Sequence, residues 1–238
     1  MRKLTVREAD LLAEKFRTSV AEYGLVEPIR ARALLLKLNI LTVYRPLSEE
    51  FCGLSIKSKD GKRFMLINSN NKRGRQHYTI AHELYHLYYD ENPKPHVCRE
   101  GEVRDVHEIN ANLFASSLLM PYEGVLQLIP ELEIVKKQVS LPTIIKLEQY
   151  FSVSRQSMLY RLCNMELLTK RQVDEYQYYS PIETARMYGY DTSLYESGNE
   201  NLIIGDYGVK ARELFDREII SEGEYDEAMN LIRYEQEG

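Results

Sequence analysis

The chain has 238 residues, 44% apolar and 28% charged, which is enough apolar material for a sizeable core and too little polarity bias for a disordered chain. Its formal net charge of −5 lacks the basic field expected of a nucleic-acid binder. The odd, widely spaced Cys52, Cys98 and Cys163 read as reduced thiols; with no apolar leader in residues 1–10 and no apolar run near about 18 residues, the expectation is a cytoplasmic chain with no membrane span.

Thr5 and Glu8 form a T-x-x-E capping box, and Ala9, Leu12, Ala13, Phe16 and Val20 follow at helical spacing. Gly24 is the expected terminator, and Pro28 the expected start of a second helix through Ala31, Leu34, Leu35 and Leu38. Ile40 to Pro46 is β-rich and stops at proline, so it reads as a strand. Phe51 to Ile56 and Arg63 to Asn68 read as two more, joined through the turn signal Asp60-Gly61. Phe64 to Asn68 is either the sheet edge, open to pairing with an extended peptide, or a plain core strand.

A helix is predicted from about Tyr78 to Tyr89, then a loop from Asp90 to Arg99. A long helix follows from about Val103 to Met120, ended by Pro121. Leu141 to Leu168 reads as helix, turn at Ser152-Val153-Ser154, and helix, with Ser154 as N-cap. Tyr176 to Gly208 is rich in Tyr, Ser, Asn and Gly without clear periodicity, and is expected to be a loop or linker. Two closing helices lie near Val209–Ile219 and Glu222–Tyr234, the second behind a Ser221/Glu224 capping box. The expected architecture is α+β. A small three-stranded sheet packs on the Tyr78–Tyr89 and Val103–Met120 helices within residues 1–139. A helix-turn-helix-like region covers 140–172, the linker 173–208 and the closing helices 209–238.

The most specific chemistry sits in His82-Glu83-Leu84-Tyr85-His86. On a helix, residues four apart share a face, so both imidazoles of this H-E-x-x-H run suit one tetrahedral zinc site. Glu83 between them is placed to act as general base on a metal-held water. A catalytic site needs a third protein ligand, and Glu108 is the best candidate. Ala111 and Ala115 on its face would let its helix come close to the motif helix. Asn112, one turn on, is a candidate to hydrogen-bond the spare ring nitrogen of a ligating histidine. His107, Asp105, His96 and Cys98 remain rivals for the third position. For stabilising the developing oxyanion, the candidates are Arg75, His77, Tyr160 and Arg161, and the sequence does not choose among them.

Two segments carry a family resemblance. Arg75-Gln76-His77-Tyr78-Thr79-Ile80-Ala81-His82-Glu83-Leu84-Tyr85-His86 is similar to R-x-x-F-T-x-A-H-E-x-x-H, and Glu108 to Ala115, ending Leu118-Leu119-Met120-Pro121, resembles E-x-x-A-N-x-F-A-x-x-L-L-M-P. Together, in this order, they resemble the ImmA/IrrE family of zinc metallopeptidases over roughly residues 29–168. Tyr78 departs from the usual phenylalanine, and Tyr176–Gly208 is not covered.

The resemblance implies a zincin-like domain with zinc on His82, His86 and Glu108 and with Glu83 catalytic; manganese or iron is a less favoured occupant. It also implies a bacterial or mobile-element regulator that cuts a partner repressor of helix-turn-helix type, relieving repression after stress. Two other readings stand beside it. One is a DNA-binding regulator built on the Leu141–Leu168 element, whose second helix carries Arg155 and Arg161. The other is an antitoxin-like module with a vestigial metal site. The net charge favours packing or partner docking over direct DNA contact.

Overall fold

The computed structural model describes residues 2–90, 96–99 and 105–233, the segment 96–99 by its backbone. Helix α1 spans Val6–Phe16, and the Thr5/Glu8 box closes in both directions: Glu8 N donates to Thr5 Oγ1, and Thr5 N donates back to the Glu8 carboxylate at 2.8 Å. The helix runs on as a π-helical turn, Arg17–Ala21, and Glu22 ends it at φ 54°. Gly24 is therefore not the terminator. The buried Arg17 guanidinium explains the early stop, because it gathers the carbonyls of Gly24, Glu27 and Leu118 and fixes the chain behind it. Helix α2, Ala31–Lys37, has Arg30 as N-cap, so Pro28 precedes the helix instead of opening it.

The sheet is mixed and has five strands in the order β4-β2-β3-β1-β5: β1 Ile40–Arg45, β2 Phe51–Lys57, β3 Arg63–Asn68, β4 His96–Arg99 and β5 Ile203–Ile204. The β2–β3 hairpin pairs Lys57 with Arg63, and Gly61 takes φ 85° in its turn. β1 lies parallel to β3, while β4 and β5 add antiparallel at the two edges. One expectation fails here and one open choice closes. The sheet has five strands rather than three, because β4 and β5 fall where a loop and a linker were expected. Phe64–Asn68 belongs to a central strand and not to the edge.

Helix α3 spans Arg73–Tyr89, longer than the expected Tyr78 start allows. Its first turn is completed from elsewhere: Arg73 N donates to Glu196 O at 2.8 Å. Helix α4, Val106–Leu119, starts at the Asp105 N-cap and packs along α3 with Ala111 and Ala115 fully buried between them. Small residues there allow the close approach that a shared site needs. Phe16 and Phe114 meet edge to face at 5.6 Å and anchor α1 to the pair. On the other side β2 presses on α3. A Cβ at Gly53 would come within 2.6 Å of Thr79 Cγ2, so only glycine fits. The expected start of α4 at Val103 and part of the expected 90–99 loop lie outside the described residues, as does the expected helix end at Tyr234.

Short helices α5 (Tyr122–Leu128) and α6 (Glu131–Lys136) lead to the predicted pair α7 (Leu141–Phe151) and α8 (Arg155–Asn164), with Ser154 capping α8. Helices α9 (Lys170–Gln177), α10 (Pro181–Met187), α11 (Tyr207–Asp216) and α12 (Glu222–Arg233) complete the described chain. Residues 176–208 are thus not a plain linker. They contain α10, a 3-10 turn at Ser193–Tyr195 and β5, and they are tied to the body. Gln76 on α3 donates to Gly198 O and accepts from Asn199, at 2.9 and 2.7 Å. Tyr195 donates to the buried Glu148 of α7 at 2.7 Å, and Arg155 pairs with the same carboxylate while donating to Thr184 of α10. Among the described residues no helix is long and apolar enough to cross a membrane.

Candidate metal centre

His82 and His86 sit one turn apart on the buried middle of α3, and Glu108 reaches them from the first turn of α4. Their three ligand groups face one another in a triangle, across short gaps. His82 Nε2 and His86 Nε2 are 3.2 Å apart; Glu108 Oε2 lies 3.2 Å from the first and Oε1 3.4 Å from the second. A tetrahedral zinc with bonds of about 2.0–2.2 Å spaces its ligands by about 3.3–3.5 Å. The gaps between the three side chains are close to that spacing.

The protons on these rings can be placed. His82 Nδ1 lies 3.0 Å from Asn112 Oδ1, and His86 Nδ1 lies 2.6 Å from Asp90 Oδ2. Both partners accept, so each Nδ1 carries a hydrogen, and in the neutral ring each Nε2 presents a lone pair inward. With both rings neutral, two lone pairs and a carboxylate converging within 3.4 Å repel one another unless a cation lies between them. The donor set fits a divalent metal, and His82, His86 and Glu108 are the one such group among the described residues.

The surrounding contacts hold this arrangement. Tyr78 Oη donates to the Asn112 carbonyl at 2.8 Å and binds α3 to α4 beside the site, which gives the hydroxyl at this position a partner. Asp90 also takes His107 Nδ1 at 2.8 Å. Burial opposes ionisation of Asp90, but the hydrogen bonds from His86 and His107 together outweigh it and hold its carboxyl below the usual range. Glu83 is fully buried, and Ser55 Oγ of β2 donates to its Oε2 at 2.6 Å.

Other sequence candidates are placed elsewhere. His107 is bound to Asp90, and Asp105 accepts from His107 N as the α4 cap. The side chains of His96 and Cys98 lie outside the described residues. Arg75 donates to Cys52 Sγ at 3.2 Å. His77 is buried and bonded through Nδ1 to Ser152 O at 3.0 Å. Tyr160 is exposed on α8, and Arg161 is spent on Met120 O, Ser117 Oγ and Asp10. None of these contacts is with the triangle.

Residues 36–163, just over half of the chain, match the family model described as the IrrE N-terminal-like domain, peptidase family M78. The chain belongs to that family. No curated protein matches it. The M78 match spans β1 to α8 and so takes in every residue of the triangle and its hydrogen-bond partners. Within this M78 domain two partners escaped the sequence reading. Asp90 stands four residues after His86, a helical spacing that could have revealed it. Ser55 is 28 residues from Glu83 on a strand, and no local pattern marks it.

Proposed function

We propose that this M78-family chain is a zinc-dependent endopeptidase acting on a partner regulatory protein, in the simplest case a helix-turn-helix repressor. The observation that carries the reading is the triangle of His82 and His86 on α3 with Glu108 on α4, the buried Glu83 following His82 in the same helix. Two imidazoles and one carboxylate are the ligand set of a hydrolytic zinc, and manganese or iron suits it less well. A zinc ion there supplies Lewis acidity, lowering the pKa of water and polarising a carbonyl.

The protein's own residues do the rest. His82, His86 and Glu108 hold the ion, while Asn112 and Asp90 keep the two rings turned with Nε2 inward. Glu83 takes the proton of the attacking water and returns it to the leaving amine. Ser55 keeps the Glu83 carboxylate from rotating away.

A DNA-binding reading has less support. Both arginines of α8 are buried in ion pairs, Arg155 with Glu148 and Arg161 with Asp10, which leaves Gln156 and Tyr160 among its exposed polar residues. Direct readout needs several exposed donors with phosphate contacts nearby. A cytoplasmic setting goes with the proposed substrate.

The test is co-expression with helix-turn-helix repressors, taken first from any encoded by neighbouring genes, comparing the parent with Glu83→Gln. The parent cuts the partner, and Glu83→Gln leaves it whole while still carrying zinc. Equal cleavage by both sinks the mechanism. A folded parent that holds no transition metal favours an antitoxin-like role.

A further inference from the structure

The two histidines of the triangle are not held alike. His82 Nδ1 faces the neutral amide oxygen of Asn112 at 3.0 Å, whereas His86 Nδ1 faces the carboxylate of Asp90 at 2.6 Å. A carboxylate accepts only, so the proton must stay on His86 Nδ1, and its charge makes Nε2 the more basic donor. The carboxylate itself is fixed on its far side, where Asp90 Oδ1 takes His107 Nδ1 at 2.8 Å.

Location adds a second argument. Asp90 is the C-cap of α3, where the helix dipole disfavours negative charge. An aspartate there works against the helix it ends, so its place is better explained by what it does for His86. His107 stands in the first turn of α4, directly before Glu108. The chain His86–Asp90–His107 therefore joins the two metal-bearing helices by a route separate from the metal.

We propose that Asp90 is the positioning residue on which metal capture chiefly depends, with His107 as its brace, and that Asn112 contributes less. The proposal rests on the metal-binding reading of His82, His86 and Glu108. It assigns unequal roles to the two ring partners, which the ligand set alone does not.

The experiment is zinc affinity by competition against a chromogenic zinc chelator, with thermal unfolding of the metal-free proteins measured alongside. Asp90→Asn keeps a hydrogen-bond acceptor of the same size and loses the charge. Its zinc affinity should fall about 10–100-fold. Asn112→Ala should lose less than Asp90→Asn, and His107→Ala should fall between the parent and Asp90→Asn. The metal-free Asp90→Asn chain should unfold below the parent, because it loses two charge-assisted hydrogen bonds, so affinities are compared at a temperature where both are folded; an aspartate that served only the fold would leave zinc affinity unchanged there. Affinity of Asp90→Asn within about threefold of the parent overturns the proposal, as does a larger loss for Asn112→Ala. His107→Ala binding as tightly as the parent overturns the brace. A parent that binds no zinc at all fails at the metal-binding reading beneath, which separates the two.

Discussion

Ser55 Oγ donates to Glu83 Oε2 across 2.6 Å, and both side chains are buried. The bond links the sheet to the one residue of the site proposed to move a proton. A hydrogen bond to a charged group contributes about 1.5–3 kcal/mol, or about 10–100-fold in rate if it is needed in the transition state. Ser55→Ala should lower kcat by at least about tenfold while zinc content stays at the parent level. Threonine at this position keeps the donor and should recover part of the loss. Unchanged kcat in Ser55→Ala would show that Glu83 is held by its other surroundings.

Metal binding should also be visible as stability. A ligand present at about a thousand times its Kd adds about 4 kcal/mol, which for a chain of this size is about 10 °C in Tm. Removing the metal with a chelator should lower the parent's Tm by roughly that amount. Glu108→Ala breaks the triangle, so the same chelator should leave its Tm where it was. An equal drop in both proteins would place the stabilising ion elsewhere.

The site was more legible than the frame around it. His82, Glu83, His86, Glu108 and Asn112 sit in two helices where a regular spacing fixes which residues share a face. Asp90 follows the same spacing, and its signal was present but not read. Ser55 has no such signal, because its partner is brought to it only by the packing of β2 on α3 around Gly53. The early part of α3 was hidden for a similar reason: Glu196, more than a hundred residues away, accepts from its first turn. β4 and β5 are too short to show alternation. Just before and within the Tyr-rich region local signals did exist. Thr169 and Gln172 form a capping box for α9, and Ser180 with Pro181 opens α10.

The buried pair Glu148–Arg155 is what fastens that region to the helix-turn-helix-like element. Burial pushes the Glu148 carboxyl up, and Arg155 and Tyr195 act against that. Arg155→Ala would strand a buried carboxylate, which costs about 3–5 kcal/mol. Hydrogen exchange should then rise first in residues 181–199, which lose the Arg155–Thr184 contact and have the Tyr195–Glu148 bond weakened. Replacing Glu148 and Arg155 together by Met should restore most of the stability. Protection of 181–199 unchanged in Arg155→Ala would mean that the contacts to Gln76 and Arg73 hold the region by themselves.

His77 gives the fold a pH dependence whose sign can be worked out. Burial lowers its pKa, while the bond to the Ser152 carbonyl opposes that in part, so the ring is neutral in the folded protein. In the unfolded chain a histidine takes up its proton near pH 6.5. Between that pH and the lower folded-state value the unfolded form binds more protons, and stability falls as the pH drops. Above about 6.5 the contribution is fully present; below the folded-state pKa it is lost. Each unit of separation corresponds to about 1.4 kcal/mol. Other histidines titrate in the same range, so the variant His77→Gln serves as the reference, keeping an N–H for Ser152 without a titrating group. Urea unfolding of the metal-free proteins at pH 7.5 and 5.5 should show a larger acid loss in the parent than in His77→Gln. The same loss in both would mean that protonation of His77 is accommodated where it sits, and that the contact between α3 and the α7–α8 turn is not what the acid breaks.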